Sequence, residues 1–250
     1  MRILQFCKKL PYPLKDGEAI AITNLTKGFY QQGHQVDVLA INTLKHHFPE
    51  EELPADVKAI ANYYAVTVNT TINAIDALSN LVSNRSYHIQ RFISEDVDRQ
   101  LRELLTRNSY DLIQLEGLYL TPYISTIRSF TQVPVALRAH NIEYEIWQRI
   151  AQNETNPVKR WYLSLLTKRL KKYEIASVNT YDAIVAITDR DQKRFEELGA
   201  QVPLHNAPAG IDLSNLVPDD SALTFPSLFF LGGLDWMPNQ KGLKWFLNAA

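Results

Sequence analysis

At 250 residues the chain has room for one large domain or two small ones, and 46% hydrophobic content with 12 Tyr, 10 Phe and 4 Trp is ample for a packed core. A formal net charge of -1 argues against nucleic acid as the main partner, because phosphate-reading domains carry a marked basic excess, and the single Cys7 excludes an internal disulfide and suits a reducing compartment. The apolar stretch at residues 3–7 is too short for a signal-peptide core and no run approaches the roughly 20 apolar residues of a membrane span, so the expected location of this soluble protein is the cytoplasm.

Strand-like and helix-like patterns alternate along the chain. Residues 2–7 read as a strand. Ile22, Leu25 and Phe29 then recur at helical spacing until Gly33 stops the helix, and residues 36–41 read as the next strand, completing a βαβ unit. Further strands are expected at 112–115, 133–137, 183–188 and 228–231, about six in all, with polar-capped helical stretches such as 94–107 between them. This alternation predicts an α/β fold, a Rossmann-like doubly wound parallel sheet that binds ligands at the carboxyl ends of its strands. Residues 214–226, with Pro218, Asp219, Asp220, Ser221 and Pro226, read as a linker between a domain at 1–213 and a second Rossmann-like unit opening at 227. The chain stops inside an amphipathic helix that runs from Leu243 to Ala250 without a cap, so it reads as a fragment of a larger parent.

Several chemistries are disfavoured. A dinucleotide-binding first turn needs G-x-G-x-x-G, because only glycine lets backbone amides approach a pyrophosphate closely. Here that turn runs from Lys8 through Pro11, Tyr12 and Pro13 to Glu18, with Gly17 as its one glycine. No P-loop, G-x-S-x-G elbow or metal-spaced His/Cys cluster occurs, and adjacent His46 and His47 point in different directions on any regular element. A nicotinamide-dependent sugar-nucleotide epimerase would need a Tyr-x-x-x-Lys pair, which is not found.

More specific patterns remain. Arg2-Ile3-Leu4-Gln5, then Pro11-Tyr12-Pro13, a glycine at the helix start and Gly33-His34-Gln35-Val36-Asp37-Val38-Leu39 together resemble the opening of retaining glycosyltransferases of the GT-B fold, family 4 (glycosyl transferases group 1). Three later stretches are similar to that family in the same order: Arg138-Ala139-His140-Asn141-Ile142-Glu143, Pro208-Ala209-Gly210-Ile211-Asp212, and Phe230-Leu231-Gly232-Gly233-Leu234-Asp235. The resemblance implies an acceptor-side N-terminal domain and the start of a donor-binding domain. The parent would be a hexosyl-type transferase in polysaccharide biosynthesis, moving sugar from a nucleotide-sugar donor to a glycan or lipid-linked acceptor hydroxyl with retention. Neither metal nor cofactor is implied, and the fragment alone is expected to be inactive.

By the same resemblance Gly17, Arg138, Asn141, Glu143 and Gly210 contact acceptor or sugar, Gly232, Gly233 and Lys241 contact the donor diphosphate, and His140 is the candidate for catalysis. Two positions depart from the family pattern: Gly233 stands where many relatives carry Arg, and Ala209 where Asn is usual. Developing diphosphate charge would be met by backbone amides, helix N-termini and basic side chains.

His140 follows an expected strand, so strand polarity places it with Gly17 on one concave surface, open to solvent, where its imidazole can bond a hydroxyl or act as a base. The opposing reading is a structural histidine. Asn141 equally suits the cap of the helix through Trp147. Between Pro157 and Tyr173 the basic residues Lys159, Arg160, Lys168, Arg169, Lys171 and Lys172 stand without an acid around Tyr162, Leu163, Leu166 and Leu170 at helical spacing. This helix packs its apolar face on the sheet with solvated lysines outside, or docks peripherally on anionic lipid. The alternative for the whole chain is a non-catalytic nucleotide- or sugar-binding Rossmann module.

Overall fold

The computed structural model describes residues 1–71, 85–213, 217–219, 221, 224–234 and 237–249. Among them, β1 (Arg2–Cys7), β2 (Gln35–Thr43), β3 (Asn62–Val68), β4 (Leu112–Glu116), β5 (Val135–Ala139), β6 (Ala183–Ala186) and β7 (Leu204–Asn206) form one sheet in the order β3-β2-β1-β4-β5-β6-β7. Every pairing is parallel. The helices are α1 (Gly17–Gln31), α2 (Ala55–Lys58), α3 (Tyr87–Gln90), α4 (Glu95–Arg107), α5 (Ile124–Phe130), α6 (Glu143–Gln152), α7 (Pro157–Ser177), α8 (Asp189–Glu197) and α9 (Met237–Ala249).

Strand alternation sorts the core into two layers. Val36, Val38 and Ala40 meet Ile22 of α1 and Val57 of α2 on one face. On the other, Leu39, Ile41, Leu4 and Phe6 join Val97 and Leu101 of α4, Leu170 of α7 and Phe195 of α8. The expected Rossmann-like sheet is therefore present, and its first unit forms as the spacing predicts. Asp16 caps α1, accepting from the Ala19 amide at 3.0 Å. Gly33, at φ 78°, ends it: the Gly33 amide bonds the Tyr30 carbonyl and the His34 amide that of Phe29.

Four departures have physical reasons. β5 begins two residues later than expected, because Pro134 has no amide to give a ladder. β6 ends at Ala186, since Thr188 is the cap of α8 and accepts from the Asp191 amide. β3 and β7 lie outside the expected set; β3 has the Tyr, Val and Thr content of a strand, whereas β7, three residues long, owes its place to pairing with β6. The strand expected at 228–231 is absent: Leu228, Phe229 and Leu231 are 85%, 87% and 86% exposed, and an apolar run with no ladder partner does not make a strand.

Asn141 is not the cap of α6. The cap position is Ile142, without a side-chain bond, and Asn141 is exposed. The free amides are met instead from α7, where the buried Glu174 accepts from the Glu143 amide at 2.9 Å and the Tyr144 amide at 2.8 Å. Burial pushes the Glu174 carboxyl up to about 8 against those two donors, and the charges of Glu143 and Glu145 push the same way. Glu174→Ala is expected to cost about 1–3 kcal/mol in urea unfolding at neutral pH, because two buried amides lose their acceptor. Since the folded value is raised, the contribution is full below the unfolded carboxyl value of about 4.3 and is lost as pH rises toward 8, so the cost should shrink over that range.

Candidate active site

Strand order reverses between β1 and β4, and a doubly wound sheet opens its crevice at the carboxyl ends of two such strands. Cys7 ends β1 opposite Glu116, which ends β4 opposite Arg138 of β5. Gly117 follows at φ 106°, a conformation that admits glycine and strains other residues. Glu116 therefore closes a strand at the reversal point, with a sharp turn directly behind it.

Glu116 is fully buried and fully engaged. Its Oε1 accepts from Gln5 Nε2 at 2.8 Å and Gln114 Nε2 at 2.5 Å; its Oε2 accepts from His140 Nε2 at 2.8 Å and lies 3.5 Å from Arg138 Nη1. Thr26 of α1 bonds Gln5 Oε1 at 2.6 Å, which ties the cluster to the first helix. Burial alone would raise the Glu116 carboxyl, but the His140 bond and the Arg138 charge hold it below the ordinary carboxylate value. A carboxylate only accepts, so the His140 proton sits on Nε2. In the neutral imidazole Nδ1 then carries the lone pair, and among the described residues no protein group bonds it.

Beside this cluster, Lys8 Nζ stands 3.3 Å from Glu18 of α1 and 3.8 Å from Glu143 of α6, with the Tyr119 ring centroid 5.1 Å away. Burial opposes the Lys8 charge, yet Glu18 and Glu143 raise its ammonium above the usual lysine value. Tyr119 donates to Glu143 Oε2 at 2.8 Å. Lys9 binds the cap residue Asp16 at 2.5 Å. Gly17 opens α1 amid these charges, and a Cβ there would meet nothing within 4 Å, so its backbone borders free space.

His140, Arg138, Glu143 and Gly17 thus come to one edge of the sheet, with corrections to what was expected of them. His140 is 7% exposed, so it does not line an open surface; its ring is held by Glu116. Arg138 is buried against Glu116 and faces no crevice. Gly210 is linked to α1, its carbonyl accepting from Asn24 at 2.9 Å, and Lys27 pairs with Asp212 beside it. Gly232 and Gly233 meet α9 instead, where Asn239 donates to the Gly233 carbonyl at 3.0 Å and would lie 2.8 Å from a Cβ on Gly232. Lys241 is exposed on α9, and among the described residues no hydrogen bond or ion pair joins these three positions to the Glu116 cluster. Asp235 of the same expected stretch lies outside the described residues.

Glu116 and Lys8 are the residues sequence reasoning missed. A carboxylate ending an apolar strand before a glycine, and a lysine directly after β1, were the signals. Among the described residues no group of three or more His, Cys, Asp or Glu could hold a metal, and no helix is long and apolar enough to cross a membrane. A shallow depression between α6 and α8 is lined by Glu145, Arg190 and Arg194, whose charges already pair with one another.

Beyond Trp147 lies His88, buried, its ring 3.9 Å from the indole centroid to centroid. Burial, with the Arg91 charge assisting, pushes its imidazole down to about 3, so the native ring is neutral. The unfolded chain takes up that proton as pH falls below about 6.5, so stability on this account declines from there toward pH 3. His88→Phe, which keeps a ring on Trp147, is expected to lose this acid-side decline, as urea midpoints at pH 7 and at mildly acidic pH will read.

The sheet and its strand order are those of a doubly wound, nucleotide-binding-like α/β fold. Sucrose-phosphate synthase from Thermosynechococcus elongatus superposes with a TM-score of 0.54 at 10% identity, over 85% of this chain and 49% of that one. Phytolacca americana UGT2, in complex with UDP-2fluoro-glucose and pterostilbene, gives a TM-score of 0.49 at 10% identity, over 83% of this chain and 54% of its own. The chain thus spans about half the length of these structures, and at 10% identity the likeness to the synthase is one of fold. No curated protein gives a significant match. The model of Glycosyltransferase Family 4 matches residues 16–215. The chain belongs to that family, and its single parallel sheet is the Rossmann-like fold of one half of a GT-B glycosyltransferase.

Proposed function

We propose that the chain is the acceptor-side part of an enzyme that moves a hexosyl group from a nucleotide-sugar donor to a hydroxyl of a glycan or lipid-linked glycan, with retention, in cytoplasmic polysaccharide biosynthesis. The observation that carries this reading is the Glu116–His140 pair at the strand-order reversal, beside the start of α1. Glu116 holds the proton on Nε2, which leaves the Nδ1 lone pair to accept from a sugar or acceptor hydroxyl and so orient it. Asn141, exposed beside His140, and Glu143 are assigned to acceptor contacts.

Charge is a separate matter. Lys8 and Lys9 are offset by Asp16, Glu18 and Glu143, and Arg138 is neutralised by Glu116. A departing diphosphate would thus find amides of the α1 start at Gly17 on this side, and its cationic partner on the donor side, where Gly232, Gly233 and Lys241 are assigned. No metal or cofactor forms part of the proposal. Incubating an enzyme that includes the donor-binding half with a panel of nucleotide sugars and acceptors should give one glycoside whose anomeric configuration matches the donor. An inverted product, or no transfer from any donor, would overturn the reading. The 250-residue chain alone is expected to show no turnover.

Peripheral membrane contact is a finer part of the proposal. Trp161 is 61% and Val158 73% exposed on α7, beside exposed Lys159 and Arg160, a mixture that suits an anionic lipid surface. Co-sedimentation with anionic but not neutral vesicles is the expected result.

A further inference from the structure

The turn between β5 and α6 carries three residues assigned above to the acceptor, His140, Asn141 and Glu143. A turn that opens a helix is commonly held by a side chain of its own, and an asparagine cap at 141 would accept from the amide two or three residues on, that of Glu143 or Tyr144. Those are the two amides that Glu174 takes. Its Oε1 accepts from Glu143 at 2.9 Å and its Oε2 from Tyr144 at 2.8 Å, across 31 and 30 positions of chain. The donors of this helix start are thus met from α7, and Ile142 at the cap position adds no side-chain bond. Asn141 is left exposed, and among the described residues no hydrogen bond holds its side chain.

For stability alone the exchange is a poor one. Glu174 is 2% exposed; burial disfavours its charge, and the charges of Glu143 and Glu145 act against it as well. An asparagine cap at the surface carries no such cost. The gain lies on the other side of the exchange. Glu116 fixes His140 at one end of the turn and Glu174 fixes the Glu143 and Tyr144 amides at the other. Glu143 is held in turn, its carboxylate accepting from Tyr119 at 2.8 Å and standing 3.8 Å from Lys8. Between these two anchors Asn141 keeps its amide donors and its carbonyl free, a full set for sugar hydroxyls. As the cap of α6 it would have that carbonyl turned onto the backbone.

We propose that Glu174 is a positioning residue for the acceptor: by occupying the two amides that Asn141 would otherwise cap, it keeps the Asn141 side chain turned outward to meet an acceptor hydroxyl. This rests on the acceptor-side reading above, which the first of its two tests does not need.

A double-mutant cycle on the 250-residue chain measures the competition. Asn141→Ala should leave the urea midpoint of the wild type unchanged, because an exposed side chain without a bond is removed. In the Glu174→Ala background Asn141 turns inward and caps the helix, so adding Asn141→Ala should raise the unfolding equilibrium constant about fivefold, the worth of one cap. Equal effects of Asn141→Ala in both backgrounds overturn the inference. Should Glu174→Ala fail to fold, Glu174→Gln, which keeps one acceptor and frees one amide, takes its place in the cycle. In an enzyme that includes the donor-binding half, Glu174→Ala and Asn141→Ala should each lower kcat/KM for the acceptor about tenfold per folded molecule, leave KM for the donor unchanged, and together cost little more than either alone. A glutamate that serves stability only would lower the urea midpoint and leave both constants per folded molecule as in the wild type, which overturns the inference. A wild type that transfers nothing sinks the acceptor reading, and the stability cycle still decides whether Glu174 displaces Asn141.

Discussion

Glu116→Ala is expected to cost about 3–5 kcal/mol of stability, the price of leaving a buried charge without its partner. The carboxylate is fully buried and joins four side chains on three strands and the loop after β5: Gln5, Gln114, Arg138 and His140. Alanine would strand the Arg138 guanidinium, 3% exposed, and orphan two amide donors at once. Urea unfolding followed by circular dichroism gives the number, and a loss below about 1 kcal/mol, the worth of an ordinary hydrogen bond, would show that the carboxylate is not the hub. The pH dependence has a definite sign. The Glu116 value is lowered in the folded chain, so its contribution is full above the unfolded value of about 4.3 and is lost as pH falls through the folded one. The acid limb of the alanine variant should accordingly be flatter than that of the wild type.

His140→Ala carries the largest expected effect on activity. In the complete enzyme, transfer per folded molecule should fall by about ten- to a thousand-fold, equivalent to about 1.4–4 kcal/mol of transition-state stabilisation. Because the ring is buried against Glu116, alanine should also cost about 1–3 kcal/mol of stability, so activity must be normalised to folded protein. His140→Gln separates the two roles. Its amide nitrogen reaches where Nε2 lies and can donate to Glu116, while nothing replaces the Nδ1 lone pair. Stability recovered without activity identifies a hydroxyl-binding histidine; recovery of both identifies a structural one.

Legibility differed by element. The βαβ opening could be read because its signals are local: a helix of period 3.6 between a capping Asp16 and a left-handed Gly33 needs no distant partner. The apolar run 228–231 carried the same local signal as β4 and yet forms no strand, since a strand exists only by pairing and composition does not supply the neighbour. β7 is the converse, a three-residue segment that is a strand because β6 lies beside it. Asn141 shows the same limit at a helix end. It has the ideal side chain for a cap, but Glu174, 33 positions away by their numbers, fills that place from α7.

The candidate site divides the same way. By itself the sequence determined the fold class, the family, and that Gly17, Arg138, His140 and Glu143 stand near the carboxyl edge of a parallel sheet, because strand polarity and motif order are properties of the linear chain. The tertiary structure alone decided that Arg138 neutralises Glu116 and does not face the crevice, that one nitrogen of His140 is committed and the other free, and that both nitrogens of the buried His88 lie without partners. Those facts depend on which side chains meet across strands far apart in sequence, and on how much water is excluded where they meet, so no local pattern of residues can carry them.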